Sequence, residues 1–139
     1  MNGTREKIVH FIGSSQKDLK GLPEDVRYEI GHSLYMAECG LMPDNAKALK
    51  GHKGAGVLEI VENDDGDTYR AVYTVRHEGV LYVLHAFKKK SLKGKATPQK
   101  DLDVVEERLK TARAHYEANY APKKKKASAP KRKKTKRKK

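Results

Sequence analysis

The chain has 139 residues, with 31 Lys or Arg against 18 Asp or Glu, a formal charge of +13, 6% aromatic residues and no Trp; that length suits one domain with its own core. No stretch approaches the roughly 18 apolar residues of a membrane helix, and no N-terminal segment reads as a secretion signal. The single cysteine, Cys39, excludes an internal disulfide and a CxxC zinc pair, so a reducing cytoplasm is the expected compartment.

The charge is not spread evenly. Residues 121–139 hold twelve Lys or Arg and no acid, leaving nineteen basic and eighteen acidic side chains in residues 1–120. A nearly neutral domain, 1–120, therefore precedes a cationic tail, 121–139. The tail has no apolar anchor and is expected to be disordered.

Residues 7–12 carry a short apolar run that suits a strand. Gly13-Ser14-Ser15 breaks it, and Ser15 with Asp18 resembles a capping box for a short helix ending at Gly21. Pro23 suits the first position of a second helix. Val26, Ile30, Leu34, Ala37 and Leu41 share its one apolar face, and Gly40 and Pro43 mark its end. Residues 45–56 read as a polar loop.

Three strands are predicted next. The first spans 57–62, and Asn63 to Asp67 form a turn. That acidic turn lacks the spacing of a calcium loop. Residues 68–76 alternate, with Tyr69, Ala71, Tyr73 and Val75 on one face and Arg70, Val72, Thr74 and Arg76 on the other. After a tight turn at 77–79, residues 80–87 are apolar almost throughout, as in a central strand buried on both faces. Residues 88–95 read as a basic loop. Thr97 as N-cap and Pro98 at the first helical position begin a last helix with Leu102, Val105, Leu109, Ala112 and Tyr116 on one face. The order is β-α-α-β-β-β-α, an α+β fold with a helical hairpin and a C-terminal helix on a small antiparallel sheet.

There is no G-x-G-x-x-G, no Walker loop and no H-E-x-x-H. What remains is a basic constellation. Arg70 and Arg76 lie on one strand face; Lys88, Lys89 and Lys90 follow the next strand, with Lys93 and Lys95 beyond. Lys47, Lys50, His52 and Lys53 precede the first hairpin strand. In an antiparallel sheet these segments can meet at one end, where Arg and Lys bind phosphate and stabilise a pentavalent phosphorane. Arg70 sits among apolar neighbours and needs an anionic partner. His85, Tyr69, Tyr73 and Tyr116 read as core side chains.

Lys47-Ala48-Leu49-Lys50-Gly51, Val57-Leu58-Glu59-Ile60, Tyr69-Arg70-Ala71-Val72-Tyr73, the strand ending Phe87-Lys88-Lys89-Lys90, and Thr97-Pro98 together resemble the phage-derived, HigB-like branch of the RelE/ParE toxin superfamily. The resemblance covers roughly residues 5–118. It implies the toxin of a type II toxin–antitoxin pair that cleaves mRNA on the ribosome without a metal or other cofactor. The RNA's own 2′-OH attacks the scissile phosphate, and protein side chains move the protons. By this resemblance Arg70 holds the phosphate, one of Lys88, Lys89 and Lys90 is acid or base, and Lys50, His52, Lys53, Arg76, Lys93 and Lys95 contact RNA. The implied partners are a helix-turn-helix antitoxin, the ribosome and mRNA, with further nucleic-acid contact through the basic tail and no membrane. The chain departs from the family pattern in two places: a C-terminal catalytic Tyr has no clear counterpart, and Val57-Leu58-Glu59-Ile60 stands in the first hairpin strand where relatives carry Lys or Arg. Two alternatives remain: a ParE-like inhibitor of DNA gyrase, and a non-enzymatic nucleic-acid-binding protein acting through its tail.

Overall fold

A computed structural model describes residues 6–49, 51, 56–89 and 97–120. Its elements are β1 (Ile8–Phe11), α1 (Ser15–Lys20), α2 (Glu24–Glu38), β2 (Ala46–Ala48), β3 (Val57–Asp64), β4 (Asp67–Thr74), β5 (Val80–Lys89) and α3 (Gln99–Asn119). They build the expected α+β fold around one five-stranded sheet, ordered β1-β5-β4-β3-β2.

The sheet has two buried faces. Val26, Ile30, Leu34 and Ala37 of α2 pack on Ile60, Tyr69, Ala71, Tyr73, Leu81 and Val83. Val105, Leu109 and Ala112 of α3 pack on Val57, Val72, Val80, Tyr82 and Leu84. Each buried Ile, Leu or Val contributes about 1.5–3 kcal/mol. The alternation predicted for β4 therefore separates the two helix layers, and β5 is covered on both sides.

Several expectations are corrected. The sheet is mixed rather than antiparallel, because β1 pairs in parallel with β5. Residues 46–48 of the expected loop form β2 against β3. β5 runs through Lys88 and Lys89 rather than giving way to a loop after Phe87. α2 ends at Glu38, so Leu41 leaves the apolar face and is exposed. Pro23 and Pro98 are N-cap residues rather than first helical residues, and neither Ser15 nor Thr97 caps a helix. Both hydroxyls are used in tertiary contacts instead: Ser15 Oγ donates to the Val83 carbonyl at 3.0 Å, and Thr97 Oγ1 donates to Glu59.

The β3–β4 turn is tighter than expected. Asp64 pairs with Asp67, and Asp65 and Gly66 both have positive φ, 51° and 84°. This is the Asp-Gly pattern of a two-residue hairpin turn, whose twist matches that of the strands.

β5 contains a bulge. Val72 pairs with His85, but the next residue, Tyr73, pairs with Val83, so Leu84 is the extra residue. The bulge changes the parity of the strand. Before it, Tyr82 faces α3; after it, His85, Phe87 and Lys89 lie opposite Val72, Arg70 and Thr68 on that same side. The guanidinium of Arg108 on α3 reaches the Leu84 carbonyl at 2.8 Å. A backbone acceptor at the irregularity is thus satisfied by a side chain.

Candidate functional site

The face of the sheet beneath the start of α3 is polar. Arg70 on β4 is 5% exposed and Glu59 on β3 is 2% exposed. They are diagonal neighbours, since Glu59 pairs with Val72 and Arg70 with Val61. Arg70 Nη1 donates to Glu59 Oε2 at 3.0 Å. Thr97, just before α3, donates to the same carboxylate oxygen at 2.5 Å and lies 3.3 Å from Arg70 Nη1. A buried cation, a buried carboxylate and a hydroxyl therefore share one site. Arg70 Nε is buried and makes no hydrogen bond.

His85 lies across the sheet from Val72, beside this group. Its Nε2 is 2.7 Å from Asp101 Oδ1 in the first turn of α3, and its ring stacks on Phe87 at 4.7 Å. His85 Nδ1 is buried and unpaired. His85 is buried, as the sequence suggested, but its fixed carboxylate partner was not foreseen. Lys89 is 5% exposed on the same face. Lys47 on β2 lies directly opposite Glu59 and is exposed, so it brings an accessible cation to that edge.

The remaining basic residues are placed less closely. Lys88 lies opposite Tyr69, so it projects to the other face, and its Nζ is 3.3 Å from Asp67. Arg76 lies beyond β4 and is exposed. Lys50, His52, Lys53, Lys90, Lys93 and Lys95 lie outside the described residues, as do residues 121–139. The described neighbours of Lys50–Lys53 sit at the Thr74 end of β4: Leu49 bonds to Val57, and Val75 to Gly56. Lys89 pairs with Thr68 at the other end, roughly 20 Å away along the strand. The described residues that border these segments therefore lie at opposite ends of the sheet rather than at one.

Sequence reading missed Glu59, Thr97, His85 and Asp101 as members of the site. One signal was available for Glu59: an acid set between the apolar pairs Val57-Leu58 and Ile60-Val61. The pairing of His85 with Asp101 depends on the β5 bulge and left no mark in the spacing.

Among the described residues no group of three or more His, Cys, Asp or Glu is arranged to hold a metal ion, and no helix is long and apolar enough to cross a membrane.

A family model described as phage derived protein Gp49-like (DUF891) matches residues 17–110. No curated protein matches the chain. Among solved structures, a mutant of the E. coli toxin RelE in the free state is similar at TM-score 0.51 and 19% identity, covering 77% of this chain and 98% of that one. The toxin–antitoxin complex RelBE2 from Mycobacterium tuberculosis is similar at TM-score 0.44 and 16% identity, covering 60% of this chain and 99% of that one. The fold is RelE-like.

Proposed function

The chain belongs to the phage-derived Gp49-like family, and from that premise we propose that it is the toxin of a type II toxin–antitoxin pair, of the HigB-like branch, that cleaves mRNA on the ribosome. One observation carries this reading: Arg70, Glu59 and Lys89 converge on one face, with the exposed Lys47 at its edge.

The chemistry follows from these groups. Cleavage next to a 2′-OH needs a base for that hydroxyl, cations for the phosphorane and an acid for the leaving 5′-oxygen. Arg70 has a buried donor left over, Nε, for a non-bridging phosphate oxygen. Glu59 is the carboxylate beside it and takes the 2′-OH proton. Lys89 supplies the second cation and the leaving-group proton. Thr97 orients the carboxylate. Lys88, Lys90, Lys93, Lys95, Lys50, His52, Lys53 and Arg76 remain candidates for RNA contacts outside this core. A helix-turn-helix antitoxin would neutralise the toxin in the cytoplasm.

The same pair favours a second reading. Glu59 already neutralises Arg70, as expected of a structural ion pair in a protein that inhibits DNA gyrase or binds nucleic acid without cleaving it.

Primer extension on an mRNA translated in a bacterial extract separates the two. Cuts that require ribosomes and vanish in both Arg70→Lys and Glu59→Gln support the nuclease. Intact mRNA alongside inhibited supercoiling supports the gyrase reading.

A further inference from the structure

The side of the sheet away from Arg70 carries α2, and a pocket of about 250 Å³ opens at the end of that helix. Ala37, Leu41, Met42, Leu58 and Val75 make its walls apolar, and Tyr73 and Lys7 add polar atoms. Its shape follows from the way α2 stops. Gly40 has φ of +86°, its N–H donates to the Ala37 carbonyl at 3.0 Å, and the Leu41 N–H donates to the Met36 carbonyl at 3.0 Å. This pair of bonds closes the helix in a Schellman motif. Leu41 is therefore set in place by backbone bonds, yet it and Met42 are each 57% exposed.

The large apolar side chains left exposed among the described residues are Ile8, Tyr28, Tyr35, Leu41 and Met42. Four of them lie on α2 or just after it, and Ile8 follows Lys7, whose N–H donates to the Glu38 carbonyl at 2.9 Å. Such a concentration marks a binding surface. Tyr73 is 1% exposed, and its hydroxyl has no hydrogen-bond partner among the described residues. A buried hydroxyl left without a partner is costly. The charge of this region also departs from the rest. Residues 24–44 hold five acids and one Lys or Arg, Arg27, in a chain whose formal charge is +13. Beside the pocket, burial first and Glu6 second hold Glu38 above the ordinary carboxylate range.

Size and charge select the occupant. Sites for drug-sized molecules begin at about 300 Å³, so this pocket suits one large side chain rather than a free ligand. The exposed apolar residues extend the contact beyond the pocket, as a protein partner requires. An acidic surface repels RNA and DNA and attracts cations. We infer that the α2 face docks a partner protein through a basic segment, which inserts one large apolar side chain between Leu41, Met42 and Leu58, gives the Tyr73 hydroxyl an acceptor and sets Lys or Arg against Glu38. Tyr73 packs with α2, whereas Val72, on the Arg70 side of β4, packs with α3. The docked segment and the Arg70 face are therefore on opposite sides of the sheet, and the docking holds whether or not that face cleaves RNA.

The test titrates the full chain with three capped tripeptides, Ac-Lys-Phe-Lys-NH2, Ac-Glu-Phe-Glu-NH2 and Ac-Lys-Ala-Lys-NH2, followed by methyl NMR at one low salt concentration. A probe this small binds at about millimolar Kd, which chemical shifts still report. The Lys-Phe-Lys peptide should move the signals of Leu41, Met42, Leu58 and Val75, with a Kd roughly fivefold or more below that of Glu-Phe-Glu. Lys-Ala-Lys should leave them in place. A double variant, Leu41→Ser with Met42→Ser, changes only exposed side chains; it should melt like the wild type and lose the response. Tyr73→Phe should melt at or above the wild-type temperature, because the orphaned hydroxyl is gone, yet bind Lys-Phe-Lys roughly threefold or more weakly. Equal affinity for the two Phe peptides, no response to Lys-Phe-Lys, or a response that the double variant keeps would overturn the proposal. A Tyr73→Phe protein that binds as well as the wild type would overturn the hydroxyl's part in it. Leu41 and Met42 signals that shift on dilution of the protein alone would overturn it too, since the face then pairs two copies of this chain.

Discussion

Arg70 and Glu59 form a buried ion pair on the side of the sheet that carries α3. Nη1 and Oε2 are 3.0 Å apart, and neither side chain is more than 6% exposed. A pair this deep has a desolvation cost comparable to its attraction, but removing one partner leaves a buried charge without a counterion.

Glu59→Leu should therefore cost about 3–5 kcal/mol. Adding Arg70→Met to it should restore most of that loss. Urea denaturation of both variants and the wild type measures the difference. A Glu59→Leu protein as stable as wild type would mean that Arg70 finds another counterion or reaches water.

The β5 bulge offers a topological test. Deleting Leu84 removes the extra residue, so that Val80, Tyr82, His85, Phe87 and Lys89 fall on one face of a regularly alternating strand. The deletion variant should keep its near-ultraviolet circular dichroism and a cooperative melt, while losing about 2–5 kcal/mol with the buried Leu84 side chain. Loss of the aromatic signal and of cooperative melting would show that the sheet needs the bulge to cover both of its faces.

Gly13 has φ of +60°, and a Cβ there would meet the Arg108 guanidinium at 2.7 Å. Gly13→Ala thus combines a disfavoured backbone with displacement of the group that serves the Leu84 carbonyl. A loss of about 1–3 kcal/mol is expected. Arg108→Met tests the second component alone. If it is neutral by thermal melting while Gly13→Ala is not, the backbone accounts for the whole effect.

Burial first and His115 second hold His10 below the ordinary histidine range, while burial and then Arg76 lower His77. The unfolded chain therefore takes up more protons just below pH 6.5. Stability from these groups is complete above that value and declines as pH falls through the lower folded values. The Tm should drop between pH 7.5 and 5, and His10→Gln with His77→Gln should flatten the slope. Tyr82 behaves in the opposite sense: burial pushes it up to about 12. Its contribution is complete below pH 10 and is lost toward pH 12.

The sequence carried the helices and the three long strands because burial on alternating or helical faces left a regular pattern, as in Val26 to Ala37 and Tyr69 to Thr74. It carried the importance of Arg70 through the misfit of a cation among apolar neighbours. It did not carry β2, three residues whose pairing depends on β3, nor the parallel partner of β1. The charged counterpart of Arg70 was also hidden. Residues 57–60 stand out as a departure from the family pattern, but contact between Glu59 and its diagonal neighbour Arg70 needs the strand register, which only the folded sheet defines. Thr97 looked like a helix cap because its local spacing fits one; the carboxylate above it offers its hydroxyl a stronger acceptor.

The parallel pairing of β1 with β5 has a consequence for synthesis. Ile8 and Val80 are partners, so roughly seventy residues must be made before the first strand has a place to dock, a slow kind of contact to close. α3, which covers the Arg70 face, comes later still. A nascent chain thus leaves the translation machinery with its sheet lacking an edge and its polar face uncovered, and the complete site exists only once the final helix has been released.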